Sequence, residues 1–265
     1  MTFFSRLVAG AAALSLVVVA PVVSPAPAEA AAGRVPGFVA VARADPSILS
    51  DIRYATSHNF IGRPIDGYQE PLCILTTQAA SALKKAQRAA LRLGYSLKVY
   101  DCYRPQRAVD DFVAWAEDLD DTRMKAEFYP DLDKSVLFDQ GYIAAKSGHS
   151  RGSTLDLTLV ELPPRWQPAY RPGQPLVSCK APVGARFPDN TIDMGTGYDC
   201  FDTLANTLDP RVTGRPLSNR LLLKRLMTDA GFVNYDLEWW HYTLAGEPYP
   251  DTYFDFPVAR RSVSG

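Results

Sequence analysis

The residues best equipped for chemistry lie in two short stretches far apart in the chain, Ser147-Gly-His149-Ser-Arg-Gly-Ser-Thr-Leu-Asp156 and Glu238-Trp-Trp-His241. Between them they hold two of the chain's three histidines and two carboxylates. Hydrolysis of a peptide bond at zinc needs imidazole nitrogens and carboxylate oxygens as ligands, one coordination position kept for water, and a free carboxylate beside it. Two imidazoles and two carboxylates can supply three ligands and one general base. Each residue alone has an ordinary alternative: a loop histidine, a strand-end aspartate, an imidazole among aromatics. Their joint order and spacing point to a metal site.

The elements that must carry these residues can be read from periodicity. Thr154 to Val160 alternates, with Leu155, Leu157 and Leu159 on one face, which leaves Asp156 on the other. Asn234 to Leu244 is dense in aromatic and β-prone residues, so His241 belongs on a strand. Residues three apart on an extended strand point to opposite faces. Glu238 therefore has to sit in a turn before the strand proper, with Trp239 and Trp240 packing to hold the bend. Thr76 or Thr77 caps a core helix through Ala79, Leu83, Ala86 and Ala90 that stops at Gly94. Ser96 to Asp101 reads as a half-buried strand, and Pro105 starts a helix whose stripe is Val109, Phe112, Ala116 and Leu119. Arg104 falls at that strand-to-helix junction, where pairing with Asp101 or Asp110 is its plain alternative.

Residues 162–216 are rich in Pro, Gly and Asp and read as a long irregular insertion. Ser218 or Asn219 opens a last helix that ends at Gly231. Helices and strands mixed without regular βαβ repetition predict a single α+β domain, with a largely antiparallel central sheet flanked by helices.

At the amino terminus, Arg6, an apolar run from Leu7 to Ala20, and a small-residue stretch up to Ala32 follow the order of a secretory signal peptide. The run falls short of the roughly 20 apolar residues of a membrane span. Residues 1–30 are expected to be cleaved, leaving 31–265 as one secreted or periplasmic, cell-envelope domain without a span. The net charge of −1 gives no basic footprint for nucleic acid. Four cysteines in an exported chain suggest two disulfides. Three connectivities exist, and the sequence-near one, Cys73 with Cys102 and Cys179 with Cys200, is the expectation.

With Tyr103-Arg104-Pro105 between them, His149-x6-Asp156 and Glu238-x-Trp-His241 resemble the zinc D-alanyl-D-alanine dipeptidases of the VanX type, in the clan of zinc D,D-carboxypeptidases and the hedgehog fold. Asp51 to Tyr68, Lys146 to Thr158 and Glu238 to Pro257 are similar to the same family, so the likeness spans nearly all of the chain after the leader. The resemblance implies one Zn2+ per chain on His149, Asp156 and His241, with Glu238 as base and then acid. It implies that Arg104 stabilises the tetrahedral intermediate, that Tyr54 and Ser147 line the substrate pocket, and that Asp199 receives the ammonium group of D-Ala-D-Ala.

Export and the cysteines depart from the cytoplasmic resistance enzymes of that type. They direct the expectation toward dipeptide released from the cell wall, with peptidoglycan fragments as further partners. Two alternatives stand beside it: a D,D-carboxypeptidase or wall endopeptidase acting on longer peptides, and a non-catalytic zinc-dependent binding domain. Binding alone would need neither Glu238 nor Arg104.

Overall fold

The computed structural model describes residues 33–263, together with Met1 and Thr2. Apart from those two residues, the expected leader lies outside the described part. The strands are β1 (Phe38–Ala40), β2 (Leu49–Ser50), β3 (Ile74–Thr76), β4 (Tyr95–Asp101), β5 (Thr154–Glu161), β6 (Phe232–Asn234) and β7 (His241–Leu244). The α-helices are α1 (Val41–Ala44), α2 (Thr77–Arg92), α3 (Gln106–Glu117), α4 (Lys125–Phe128) and α5 (Gly214–Asp229). Strands β1 and β3 pair as a small ribbon, and the other five form a sheet in the order β2-β4-β5-β7-β6.

The central hairpin-like pair β4 and β5 is antiparallel, with Leu97 opposite Leu159 and Val99 opposite Leu157. All four side chains are fully buried. Helix α2 packs against β4 through small residues, Ala79, Ala86 and Ala90, which let the helix approach closely around Leu83. The Thr76 hydroxyl accepts the Ala79 N–H at 3.3 Å, the expected cap. Gly94 takes φ +81° just past the helix end, a left-handed conformation that glycine adopts without steric penalty.

The sheet is largely antiparallel, as expected, with β2 running parallel to β4 at one edge. Three details differ from the sequence expectations. Helix α3 ends at Glu117, and Leu119 lies beyond it, exposed instead of completing the stripe. Helix α5 begins at Gly214, one turn before Ser218. Strands β4 and β5 are buried on both faces, because residues 162–201 fold back over the side that alternation assigned to solvent. There, Lys98 pairs with Asp189 and donates to Gln167 and Asn190. Both disulfides follow the sequence-near pairing, Cys73–Cys102 and Cys179–Cys200. Among the described residues no helix is long and apolar enough to cross a membrane.

Candidate active site

Sheet register assembles the site. Asp101 at the end of β4 stands opposite Asp156 on β5, and Asp156 stands opposite His241 at the start of β7. Directly opposed residues of adjacent strands share a face, so three functional side chains from distant sequence positions form one cross-strand row. His149 enters from a single 3₁₀ turn, Gly148–Arg151, which precedes β5 and is capped by the Ser147 hydroxyl. Gly152, at φ +80°, ends that turn and sends the chain into β5. Glu238 lies in the tight turn before β7, where the His241 N–H donates to the Glu238 carbonyl at 3.3 Å. Trp239 and Trp240 are buried and pack edge to face, so the bend between Glu238 and His241 is held from behind.

The donor atoms converge. His149 Nε2, His241 Nδ1 and Asp156 Oδ1 stand 3.3–3.4 Å from one another. Ligands about 2.0–2.1 Å from a tetrahedral ion are separated by about 3.3–3.4 Å, so the three atoms match one face of such a site. The tautomer of His149 follows from its partner: Nδ1 lies 2.7 Å from the Cys102 carbonyl, which can only accept. The proton is therefore on Nδ1, and the Nε2 lone pair points into the cluster. Among the described residues Asp156 Oδ1 is buried without a hydrogen-bond partner, while Oδ2 accepts from the Tyr198 hydroxyl at 2.9 Å. A buried carboxylate oxygen left free beside two imidazoles fits a metal ligand.

Burial opposes ionisation of Asp156, but the two imidazoles override it and hold the carboxyl well below the usual carboxylate range. Burial likewise lowers His241, yet the facing carboxylates of Asp156 and Glu238 push it up to about 9. Glu238 Oε2 is 3.3 Å from His241 Nδ1 and its side chain is partly open to the cleft. It stands beside the three-donor group without belonging to it.

A cleft of about 250 Å³ opens over these atoms and is lined by all eight candidate residues: Tyr54, Arg104, Ser147, His149, Asp156, Asp199, Glu238 and His241. Arg104 Nε and Nη2 bind Asp101 Oδ2 at 3.0 and 2.9 Å, and Nη2 is 3.8 Å from Asp156 Oδ2. Its guanidinium lies over the rings of Tyr54 and Phe112. The Asp101 pairing expected of a helix-start arginine thus exists, but inside the cleft wall, while Asp110 is bound by Gln106 instead. Asp199 is buried at φ +54°, a left-handed conformation that aspartate tolerates better than most residues, and accepts from the Tyr54 hydroxyl at 2.8 Å. Burial, reinforced by the charge of Asp156, pushes its carboxyl well above the usual range.

Two residues join the site that the sequence did not assign to it, Asp101, expected at most as a surface partner of Arg104, and Tyr198. Asp101 accepts from Tyr68 at 2.5 Å and from Arg104, and lies 3.3 Å from His149 Nδ1, so it joins the guanidinium to the His149 imidazole. Its one sequence signal was its place at the end of a strand, three residues before Arg104. Tyr198 supports Asp156 from within the irregular insertion, where no periodicity could mark it.

A His–Asp–His donor set, a neighbouring carboxylate and a guanidinium fixed in the cleft wall define a candidate metal centre equipped for acid–base chemistry. The sequence profile of the peptidase M15 family, described as D-ala-D-ala dipeptidase, matches residues 34–163 and 188–259. The chain is 42% identical over 209 residues to a D-alanyl-D-alanine dipeptidase of Streptomyces coelicolor, covering 79% of this chain and 92% of that protein. It is 38% identical over the same shares to one from Enterococcus faecalis, and 31% identical over 199 residues to one from Escherichia coli, covering 75% and 80%. The chain belongs to the peptidase M15 D-ala-D-ala dipeptidase family.

Proposed function

We propose that the protein is an exported zinc peptidase that hydrolyses D-Ala-D-Ala to two D-alanines. His149, Asp156 and His241 would hold the ion. Zinc, when bound, supplies Lewis acidity: it polarises the scissile carbonyl and makes water acidic enough to lose a proton near neutral pH. Glu238, at the edge of the donor cluster and open to the cleft, accepts the proton of the attacking water and then returns it to the leaving amine. Arg104 donates to the carbonyl oxygen as that oxygen gains negative charge, an interaction stronger in the transition state than before it. Asp101 holds the guanidinium in place for this. Asp199 receives the substrate ammonium, which would restore the ionised carboxylate that burial otherwise disfavours. Tyr54 fixes that carboxylate, and Ser147 lines the same pocket. An anionic partner for the free amine leaves little room for a longer amino-terminal chain, so selectivity falls to dipeptides.

The convergence of His149 Nε2, His241 Nδ1 and the partnerless Asp156 Oδ1 supports this reading above all other observations. Export is supported by two disulfides, which persist in oxidising compartments. The test is D-alanine release and metal content of the purified protein, with free D-Ala-D-Ala set against a muropeptide ending in D-Ala-D-Ala. Preference for the dipeptide with one zinc per chain is expected. Preference for the longer peptide would make the protein a carboxypeptidase, and zinc without turnover would make it a binding domain.

A further inference from the structure

Residues 164–187 lie between the two segments matched by the family profile, yet they are joined directly to the cleft wall. The joint is Cys179. Its carbonyl accepts the Gly197 N–H at 2.8 Å, its sulfur is bonded to Cys200, and its own N–H donates to the Glu127 carbonyl at 2.8 Å. One residue of the insertion therefore grips both ends of the four-residue span Gly197–Cys200. The two residues between those ends are Tyr198, whose hydroxyl donates to Asp156, and Asp199, whose carboxylate accepts from Tyr54.

The span needs an outside hold. Asp199 occupies left-handed backbone, which is less favourable than the right-handed region for any residue with a side chain. It also presents a buried carboxylate near Asp156, and this arrangement persists only where the surroundings over-determine it. Tyr198 is braced by stacking on Tyr100, with ring centroids 4.4 Å apart, and by Trp240 at its edge. No comparable stack holds Asp199. Among the described residues its only side-chain hydrogen bond is to Tyr54, and its backbone is held by the Gly197 hydrogen bond on one side and the Cys200 disulfide on the other.

We propose that Cys179, through its disulfide to Cys200 and its hydrogen bond to Gly197, is a positioning residue for Asp199 and so sets the affinity for the substrate ammonium. The inference rests on the proposed role of Asp199. It assigns the insertion a specificity function in the reaction, carried by a covalent bond that lies outside the family profile on one side and inside it on the other.

The experiment is steady-state kinetics on D-Ala-D-Ala with the Cys179→Ala/Cys200→Ala pair, alongside Asp199→Asn and metal analysis of each. A loosened anchor removes binding that ground state and transition state share, so KM should rise about tenfold with kcat within about threefold of wild type. Zinc content should be unchanged. A KM within twofold of wild type overturns the proposal, as does a fall in kcat accompanied by loss of zinc, which would mark a purely structural bond. If the alanine pair is unfolded at the assay temperature, Cys179→Val/Cys200→Ala, assayed below its own melting midpoint, makes the same comparison. A raised KM in Asp199→Asn with no change in the cysteine pair sinks this inference alone. An unchanged KM in Asp199→Asn sinks the role of Asp199 and the inference with it.

Discussion

At the scale of single residues, the site separates the proposed metal-holding groups from the proposed proton carrier by a small displacement. Glu238 is close enough to touch the cluster through His241 but is the carboxylate with room to move. Glu238→Gln keeps the shape and removes the base, so zinc content should persist while kcat falls at least ~10²-fold. Near-normal turnover would end its assignment. Arg104 is already oriented by Asp101, so its effect should appear in the transition state: Arg104→Ala should lower kcat roughly 10²- to 10³-fold with a smaller change in KM. A change in KM alone would recast it as a substrate anchor. His241 offers a test that needs no substrate. In zinc-free protein its pKa of about 9 keeps the ring charged at neutral pH, and a ligand nitrogen must be deprotonated. Reloading zinc at pH 7.5 should release about one proton, seen as a dependence of the calorimetric heat on buffer ionisation enthalpy, and a heat independent of the buffer would show that the ring is neutral before the metal arrives. The same raised pKa stabilises the zinc-free fold below pH 6.5, an effect lost as pH rises through 9.

At the scale of elements, the turn that carries His149 depends on a close approach. A Cβ on Gly152 would come 2.2 Å from the Phe38 ring, at a φ of +80°. Gly152→Ala should destabilise the protein by about 1–3 kcal/mol and lower the melting midpoint by roughly 2–4 °C per kcal/mol. Thermal unfolding checks it, and an unchanged midpoint would show that β1 yields freely. Local patterns announced this part of the molecule well. The Thr76 cap, the leucine face of β5 and the impossibility of Glu238 and His241 converging on one straight strand were legible because each is a matter of neighbouring residues. The burial of the opposite face of β4 was not. Lys98 and Tyr100 read as solvent-facing, and their cover is encoded in Asp189, some ninety positions away, by charge pairing rather than by periodicity. Tyr198 was hidden for the same reason. Asp101 was visible as a partner for Arg104, but its second contact, with His149, exists only once register aligns three strands.

At the scale of the whole molecule, the insertion is anchored through a buried charged cluster on the face of the sheet that it covers. Arg53 binds Asp51 and Asp189, and its Nη1 donates to His58 Nδ1 at 3.1 Å. A guanidinium cannot accept, so His58 carries its proton on Nε2 and donates it to Glu127 Oε1 at 2.8 Å. Tyr170 and Phe187, both from the insertion, pack on the ring with centroids 4.4 and 4.1 Å away. Burial, aided by the Arg53 charge and opposed by Glu127, lowers the His58 pKa below its ordinary 6.5. The unfolded chain therefore binds a proton near pH 6.5 that the native state refuses, so stability is complete above that pH and declines as pH falls toward the native value. Urea unfolding at pH 7.5, 6.5 and 5.5 should show this decline in the wild type and a shallower one in His58→Gln. Equal slopes would mean that folding leaves the His58 pKa where it is in the unfolded chain. Glu127 also supplies the carbonyl that accepts from Cys179, so the cluster is continuous with the wall behind Asp199. Acid that charges His58 should therefore loosen the cover of the sheet before it reaches the donor row at the far end of β5.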